Sequence, residues 1–150
     1  AVTFLMEKLN KKPQEMADFL NKESGVLGIT GISSDMREIE SAAAEGNKRA
    51  QLALNMYNYR IKKYIGAYAA AMGGVDIIVW TAGVGENQVG TRLEACSGLE
   101  FLGVKIDAEA NKVRGEEAII STPDSKVTVC VIPTDEELMI AKDTMNLLQK

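Results

Sequence analysis

The stretch Val75-Asp-Ile-Ile-Val-Trp-Thr-Ala-Gly-Val-Gly-Glu-Asn87 decides the fold of this chain. Its apolar run, Ile77 to Trp80, predicts a buried strand, and Gly83 and Gly85 follow soon after it. A tight turn between a strand and a helix leaves backbone open at the carboxyl edge of a sheet, where α/β proteins usually bind small ligands. Glycine there permits positive φ and lets a ligand approach without meeting a Cβ. The stretch therefore predicts an α/β fold with a tight glycine turn at this edge.

Composition and charge narrow the class of protein. The 150 residues, 46% hydrophobic and 25% charged, predict about one ordinary domain. A net charge of -4 without a basic cluster argues against nucleic acid as a partner. We find no run of transmembrane length and no signal peptide, which predicts a cytoplasmic protein with no membrane partner. The absence of histidine excludes Ser-His-Asp and Cys-His catalysis within this chain.

The two cysteines and the first residues give two further expectations. The spacing of Cys96 and Cys130 matches no metal motif and does not indicate a disulfide framework. Cys130 lies in the apolar run 127–132, which predicts a buried core thiol. The chain opens without methionine on what resembles the middle of a helix, so we expect a fragment of a longer protein.

The periodicity of apolar residues, with the glycine and proline residues that end helices and strands, predicts the order of the secondary-structure elements. Helices are predicted at 3–10, 13–22, 35–44, 47–72 and 88–97, and strands at 75–81, 101–106, 118–121 and 127–132. The glycines between Gly25 and Gly31 predict an irregular loop or a short extended piece. A final helix is predicted with Thr134 as its cap, in a Thr-x-x-Glu box. We expect its apolar residues to face inward: Leu138, Ala141, Met145 and Leu148.

The predicted order of the main elements is helix–strand–helix–strand–helix, with a small β insertion. The two main strands, 75–81 and 127–132, are expected to be parallel because the second is almost wholly apolar. A doubly wound or ribonuclease-H-like domain needs more strands, and none is convincing before residue 75. The plan therefore supports a missing N-terminal portion.

The glycine stretch from Gly83 to Asn87 is a weak signal by spacing alone. It is not a Walker loop, since no Lys-Ser/Thr pair follows. Its glycines, with Gly90, also miss the spacing of the dinucleotide fingerprint. A nucleotide-binding turn and a plain strand-to-helix turn both stay open.

Two groups of charged residues are further candidates for ligand binding, and each also has a purely structural explanation. Arg37, in Asp35-Met36-Arg37, could grip a phosphate or stack on a base, or Asp35 could simply cap a helix beside a solvated arginine. Glu136 follows Asp135 after a buried strand and could hold a Mg²⁺ that bridges to phosphates, or could serve as an acid favoured by the helix dipole.

The motifs together resemble a known family. Gly25-Val-Leu-Gly with Ser-Ser-Asp-Met-Arg37, then Thr-Ala-Gly-Val-Gly-Glu-Asn87, then Val-Ile-Pro-Thr-Asp-Glu-Glu-Leu138 occur in this order. With Gly-Asn-Lys-Arg-Ala50 between them, they resemble the carboxyl-terminal part of the acetate kinase family, in the sugar kinase/heat-shock-70/actin superfamily. The resemblance covers essentially the whole chain and implies an incomplete ribonuclease-H-like (actin-like ATPase) domain.

The resemblance also implies roles for individual residues. It assigns Glu136 to Mg²⁺, while Asp135 stands where the family usually has asparagine, which would raise cation attraction and change the neighbouring hydrogen bonds. The nucleotide-binding residues that it implies are Asp35, Met36, Arg37, Gly83, Val84, Gly85, Glu86 and Asn87.

The implied reaction is reversible transfer of the ATP γ-phosphoryl group to acetate, giving acetyl phosphate and ADP. The family's acetate pocket, its catalytic histidines, arginines and aspartate, and its phosphate loop lie upstream, so no catalytic residue is assigned to this segment. Family members are usually homodimers. The alternatives are propionate kinase, a nucleotide-binding module without catalysis, and a structural fragment.

Overall fold

The structure, a computed structural model, describes residues 1–149. The chain divides into two compact units, the first ending at Arg60 and the second beginning at Ile61. The helices are α1 (Val2–Leu9), α2 (Pro13–Lys22), α3 (Gly25–Thr30), α4 (Met36–Ala44), α5 (Lys48–Met72), α6 (Ala82–Asn87), α7 (Val89–Cys96) and α8 (Glu136–Leu148). The strands are β1 (Ile77–Trp80), β2 (Ala118–Ile119) and β3 (Thr128–Val131). Short 3₁₀ helices occupy Glu100–Leu102 and Ala110–Lys112.

The first unit is helical, and its helix ends follow the local sequence signals. Pro13 opens α2 as predicted, and Glu15 accepts a hydrogen bond from the Lys12 backbone N–H at 2.7 Å. Asp35 caps α4, as one of the two alternatives predicted for this residue. The predictions for α1, α2 and α4 are therefore confirmed.

The glycine-rich segment after α2 is a short helix, so the predicted loop or extended piece is wrong. Gly25 and Gly31, with φ of 60° and 67°, stand at its two ends, where positive φ suits glycine, and only Gly28 is interior. The Arg49 side chain donates to the Ile29 carbonyl oxygen at 2.7 Å. A tertiary donor thus satisfies a carbonyl that the short helix leaves free.

The long helix α5 confirms the predicted span 47–72. Gly73 and Gly74 end it at positive φ, and their N–H groups donate to the Ala70 and Ala69 carbonyl oxygens. Ala50 and Ala53 belong to the core of the first unit, around Ile39. Among residues 1–149, no helix is both long enough and apolar enough to cross a membrane.

The sheet of the second unit has the order β1–β3–β2. β1 and β3 are parallel, as predicted, with Ile77 opposite Thr128 and Trp80 opposite Val131. β2 is antiparallel to β3. The hydrophobic core cluster of this unit consists of Ile78, Trp80, Ala95, Cys96, Leu99, Val104, Ile120, Val127, Val129 and Val131. One face of β1 and β3 therefore carries the core, and their carboxyl ends share one edge. Ile77 and Val79 are exposed, so the prediction of a buried strand from Ile77 to Trp80 is correct for only one face of β1.

Only one face of β3 is buried, which corrects the prediction for Cys130. Val127, Val129 and Val131 are buried, whereas Cys130 points to the other face and is half-buried. Cys96, on α7, is the fully buried thiol. Both cysteines are free.

The predicted strand at 101–106 is wrong. Its first residues form the 3₁₀ helix Glu100–Leu102, and Gly103 turns the chain at a φ of 95°. What remains are isolated bridges, from Val104 to Val127 and from Ile106 to Ser121. The β insertion is thus smaller than predicted because the glycine turn ends the extended backbone.

Helix α8 does not bury the stripe predicted for it. Leu138, Met145 and Leu148 are 46%, 59% and 82% exposed, and Ala141 is also exposed. Leu138, Met139 and Ile140 are consecutive, so apolar side chains surround the helix instead of lining one face. In the part of the chain that the structure describes, no side chain of α8 is buried.

Gly103→Ala is expected to lower the free energy of unfolding by about 1–2 kcal/mol, because the residue holds positive φ. The added Cβ would lie 2.8 Å from Lys126 Cβ, which is close to the backbone and moves little. The midpoint of urea unfolding, followed by circular dichroism, measures the loss. Gly66→Ala is the matched control, because Gly66 lies inside α5 with open space around it and alanine favours helix. An unchanged midpoint for Gly103→Ala would contradict the prediction.

Candidate functional site

The candidate site lies at the edge where the parallel strands β1 and β3 end. Thr81 and α6 follow β1, and the segment Ile132 to Asp135 leads from β3 into α8. The two segments meet through Glu86, whose Oε1 accepts hydrogen bonds from the Thr134 N–H at 2.8 Å and the Thr134 hydroxyl at 2.9 Å. These hydrogen bonds hold the pKa of Glu86 below its usual range. Glu86 therefore stays ionised and ties the two strand ends together.

The predicted glycine turn is a six-residue helix, α6, and its glycines are not the residues with unusual backbone. Positive φ falls on Ala82, at 57°, whereas neither Gly83 nor Gly85 has it. A Cβ on Gly85 would lie 3.1 Å from the Trp80 carbonyl carbon, so this glycine permits close packing of α6 on β1. A Cβ on Gly83 would meet no atom within 4 Å. Gly83 is thus the glycine that keeps a surface open.

The carbonyl oxygens of the glycine segment all receive hydrogen bonds. The Asn87 side chain donates to the Gly83 carbonyl at 3.0 Å, and the Gln88 N–H donates to the Val84 carbonyl at 2.9 Å. Arg92 donates to the carbonyls of Gly85 and Glu86, and Arg114 donates to that of Asn87 at 2.5 Å. Two arginines therefore hold the carboxyl end of α6, where cations suit the helix dipole.

Trp80 lies beneath α6 in a buried position. Its indole N–H has no hydrogen-bond partner among the described residues. Burial raises the pKa of the neighbouring Cys96 thiol to about 11. Cys96 is therefore neutral at ordinary pH and packs as an apolar group.

Thr134 does not cap the final helix, which corrects the predicted capping box. Asp135 is the cap, and its Oδ1 accepts from the Leu138 N–H at 3.0 Å. An asparagine at position 135 could accept the same bond, so the aspartate preserves this contact. Thr134 instead donates both its N–H and its hydroxyl to Glu86.

Glu136 is an exposed carboxylate in the first turn of α8, next to Glu137. Among residues 1–149, no group of three or more histidine, cysteine, aspartate or glutamate side chains is arranged to hold a metal ion. Mg²⁺ commonly takes only one or two protein carboxylates and completes its shell with water and phosphate oxygens. One accessible glutamate is compatible with that mode of binding.

Asp35, Met36 and Arg37 belong to the first unit, at the start of α4. Asp35 Oδ1 accepts from the Arg37 N–H at 2.9 Å, and the Arg37 Nη2 lies 2.6 Å from Asp35 Oδ2. The Arg37 guanidinium and backbone N–H lower the pKa of Asp35 to about 2. Arg37 is largely exposed. The capping alternative is confirmed for Asp35, and the nucleotide role stays a prediction.

Sequence reasoning missed Arg92 and Asn111, both fully buried beside α6. Arginine is rarely fully buried, so the residue type alone favours a solvated position. Three apolar or small residues nevertheless stand three and four positions from Arg92 on α7: Val89, Ala95 and Cys96. That spacing is a weak sign of burial, and it does not reveal the acceptors of Arg92, which lie up to 21 residues along the chain.

Comparison with known proteins identifies the family. A model described as the acetokinase family matches residues 1–142. The chain belongs to the acetokinase family. It is 69% identical over 150 residues to an acetate kinase of Phocaeicola vulgatus, covering 100% of the chain and 38% of that relative. The chain thus spans about 38% of the length of this curated relative.

Solved structures of the acetokinase family extend this relationship to the fold. The Porphyromonas gingivalis acetate kinase structure is 58% identical, with a TM-score of 0.90 over 98% of this chain and 37% of that one. A Francisella tularensis propionate kinase structure is 37% identical, with a TM-score of 0.81 over 93% and 35%. These likenesses confirm the α/β fold class, and the mixed sheet with its helices is consistent with an actin-like ATPase fold.

Proposed function

We propose that this chain is the nucleotide- and magnesium-binding side of an acetate kinase, which transfers the ATP γ-phosphoryl group reversibly to acetate, giving acetyl phosphate and ADP. The observation that carries the proposal is 69% identity over the whole chain to a relative named acetate kinase. The relative is longer than the chain, so the activity is proposed for a full-length protein that contains these residues. We further propose that this protein is a cytoplasmic homodimer.

We propose that the chain corresponds to the carboxyl-terminal part of that protein. The order of its motifs supports this placement: Asp35 to Arg37 first, Gly83 to Asn87 second and Glu136 third. The acetate pocket and the groups that act on the acyl phosphate would then come from residues outside this chain. No catalytic residue is assigned within it.

In the proposed site, α6 forms one wall for the nucleotide. Gly83 leaves room for close approach because a Cβ there would project into open space. Arg92 and Arg114 lie behind the segment and contribute positive charge, which favours polyphosphate over neutral ligands. Phosphoryl transfer depends mainly on positioning and charge stabilisation, so a fixed wall of this kind is what the reaction requires.

The proposed magnesium ligand is Glu136. Its carboxylate is exposed and follows a strand end that is joined to α6 through Glu86 and Thr134. When bound, Mg²⁺ would neutralise charge on the β- and γ-phosphate oxygens. Asp135 adds negative charge beside it, although one of its oxygens caps α8.

Propionate kinase is the second candidate activity. The match to the Francisella tularensis propionate kinase structure covers 93% of this chain at 37% identity, so a relative named propionate kinase shares the fold of this part. The acyl pocket would decide between the substrates, and its residues are not assigned here. Comparing rates with acetate and propionate in the full-length protein separates the two.

The full-length protein is expected to form acetyl phosphate from ATP and acetate, whereas the isolated 150-residue chain forms none, because the chain lacks an assigned acceptor site. Product formation is measured for both at equal concentration. Turnover by the pure chain would contradict the proposal that the acetate site lies outside these 150 residues. No turnover by the full-length protein with acetate or propionate would contradict the proposed activity.

Titration of the isolated chain with Mg-ATP tests the remaining alternatives. Binding without turnover is expected for a nucleotide-binding half-site. No binding at millimolar nucleotide would favour a structural fragment.

A further inference from the structure

Among residues 1–149, Arg92 is the largest fully buried side chain. Its guanidinium makes five hydrogen bonds, all to neutral oxygens. Nη1 donates to the Gly85 and Glu86 carbonyls at 2.8 and 3.0 Å, Nη2 to the Asn111 and Val113 carbonyls at 2.6 and 2.7 Å, and Nε to Asn111 Oδ1 at 2.8 Å. Every donor of the side chain is therefore used.

This arrangement is costly for a residue that serves only packing. None of the five acceptors is a carboxylate, so the buried charge is held by dipoles alone. Burial lowers the pKa of Arg92, and the nearby Arg114 cation lowers it further. An apolar side chain of similar volume would avoid the cost of desolvation. The geometry gives a reason to retain arginine, because only a guanidinium presents five donors in a rigid plane.

The five bonds join two segments that are distant in sequence. Gly85 and Glu86 belong to α6, whereas Asn111 and Val113 belong to the polar segment 107–115, which follows α7. Asn111 is itself fixed, since its side-chain Nδ2 donates to the Val89 carbonyl at 3.0 Å. Residues 111–113 are therefore held in place, and Arg92 hydrogen-bonds the carboxyl half of α6 to them.

We infer that Arg92 is a positioning residue for the nucleotide: it fixes the backbone of Gly85 and Glu86 against residues 111–113, and so keeps the Gly83 surface in its binding geometry. The inference rests on the proposed function, because it assigns the purpose of this rigidity to ATP. Arg92 itself is buried and is not expected to touch the ligand.

The test is Arg92→Lys in the full-length protein. Lysine keeps the charge but donates at most three bonds from a single atom, so it cannot span both segments. We expect the KM for ATP to rise roughly fivefold, with the KM for acetate unchanged, because only the nucleotide wall is displaced. Binding of ATP by calorimetry is expected to weaken by the same factor. Amide hydrogen exchange in a peptide covering 82–88 is expected to accelerate.

Val129→Ala is the control for general destabilisation, because Val129 is buried in β3. It is expected to lower the melting temperature without separating the two KM values. Arg92→Lys would contradict the inference if it lowered stability as Val129→Ala does and left ATP binding and exchange in 82–88 unchanged. An equal rise in both KM values would also contradict it. If the unmodified full-length protein neither bound ATP nor formed acetyl phosphate, the proposed function itself would fail.

Discussion

Glu136→Gln in the full-length protein is expected to reduce the rate of acetyl phosphate formation roughly hundredfold or more and to raise the Mg²⁺ concentration needed for half-maximal rate. Glutamine keeps the size of the side chain and removes its charge. The carboxylate is exposed in the first turn of α8, so the substitution leaves the packing intact. Loss of a metal ligand acts on the reaction, whereas loss of an acid near a helix N-terminus acts only weakly on stability.

Glu137→Gln is the matched control. The two glutamates are adjacent, exposed and in the same helical turn, so they interact similarly with the helix dipole. We expect Glu137→Gln to retain most of the activity and the magnesium dependence of the unmodified protein. Equal activities for the two variants would remove Glu136 from the proposed metal site and leave both residues as helix-dipole acids.

Gly83→Val is expected to raise the KM for ATP roughly tenfold or more, with little change in the KM for acetate or in the melting temperature. The fold tolerates the side chain, because a Cβ at this position meets no atom within 4 Å and φ is not positive. The same open space is where the proposed nucleotide approaches the backbone. A branched side chain therefore obstructs the ligand without disturbing the protein.

Two other glycines provide the controls for this prediction. Gly90→Val also projects into open space but lies outside the segment 83–87, so both KM values are expected to stay unchanged. Gly85→Val places a Cβ 3.1 Å from the Trp80 carbonyl carbon, so it is expected to lower the melting temperature. An equal loss of ATP and acetate affinity in Gly83→Val would indicate misfolding and would contradict a local role.

The sequence predicts helices well where their signals are local. Pro13 opens α2, Asp35 caps α4 and Gly73 ends α5, each through a contact within a few residues. The parallel pairing of β1 with β3 also follows from their apolar runs. One failure occurs where a distant contact contributes, and another, the strand at 101–106, where the prediction misses a local glycine turn. Arg49 completes α3 from 20 residues away, which no glycine count indicates.

The sequence predicts where the candidate site lies, at the carboxyl ends of the parallel strands. It does not predict the hydrogen bonds between the side chains there. The Thr-x-x-Glu pattern favours Thr134 as a cap, but Asp135 is an equally good capping residue and stands one position closer to α8. In the structure Asp135 caps the helix, and Thr134 donates its N–H and hydroxyl to Glu86, 48 residues away in sequence, a contact that no local pattern indicates. Arg92 is harder still, because its burial depends on carbonyls supplied by two other segments.

The packing of Gly85 on Trp80 gives this chain an internal optical reporter. Trp80 is the only tryptophan of the 150 residues, so its emission is not mixed with that of another indole in the chain. The indole is buried, its N–H is unpartnered among the described residues, and its neighbour Cys96 stays a neutral thiol at ordinary pH. Because α6 packs on the backbone and Cβ of this same residue, we expect a displacement of the helix to change the surroundings of the indole. The emission wavelength of Trp80 is thus expected to report on the position of α6 without an added label.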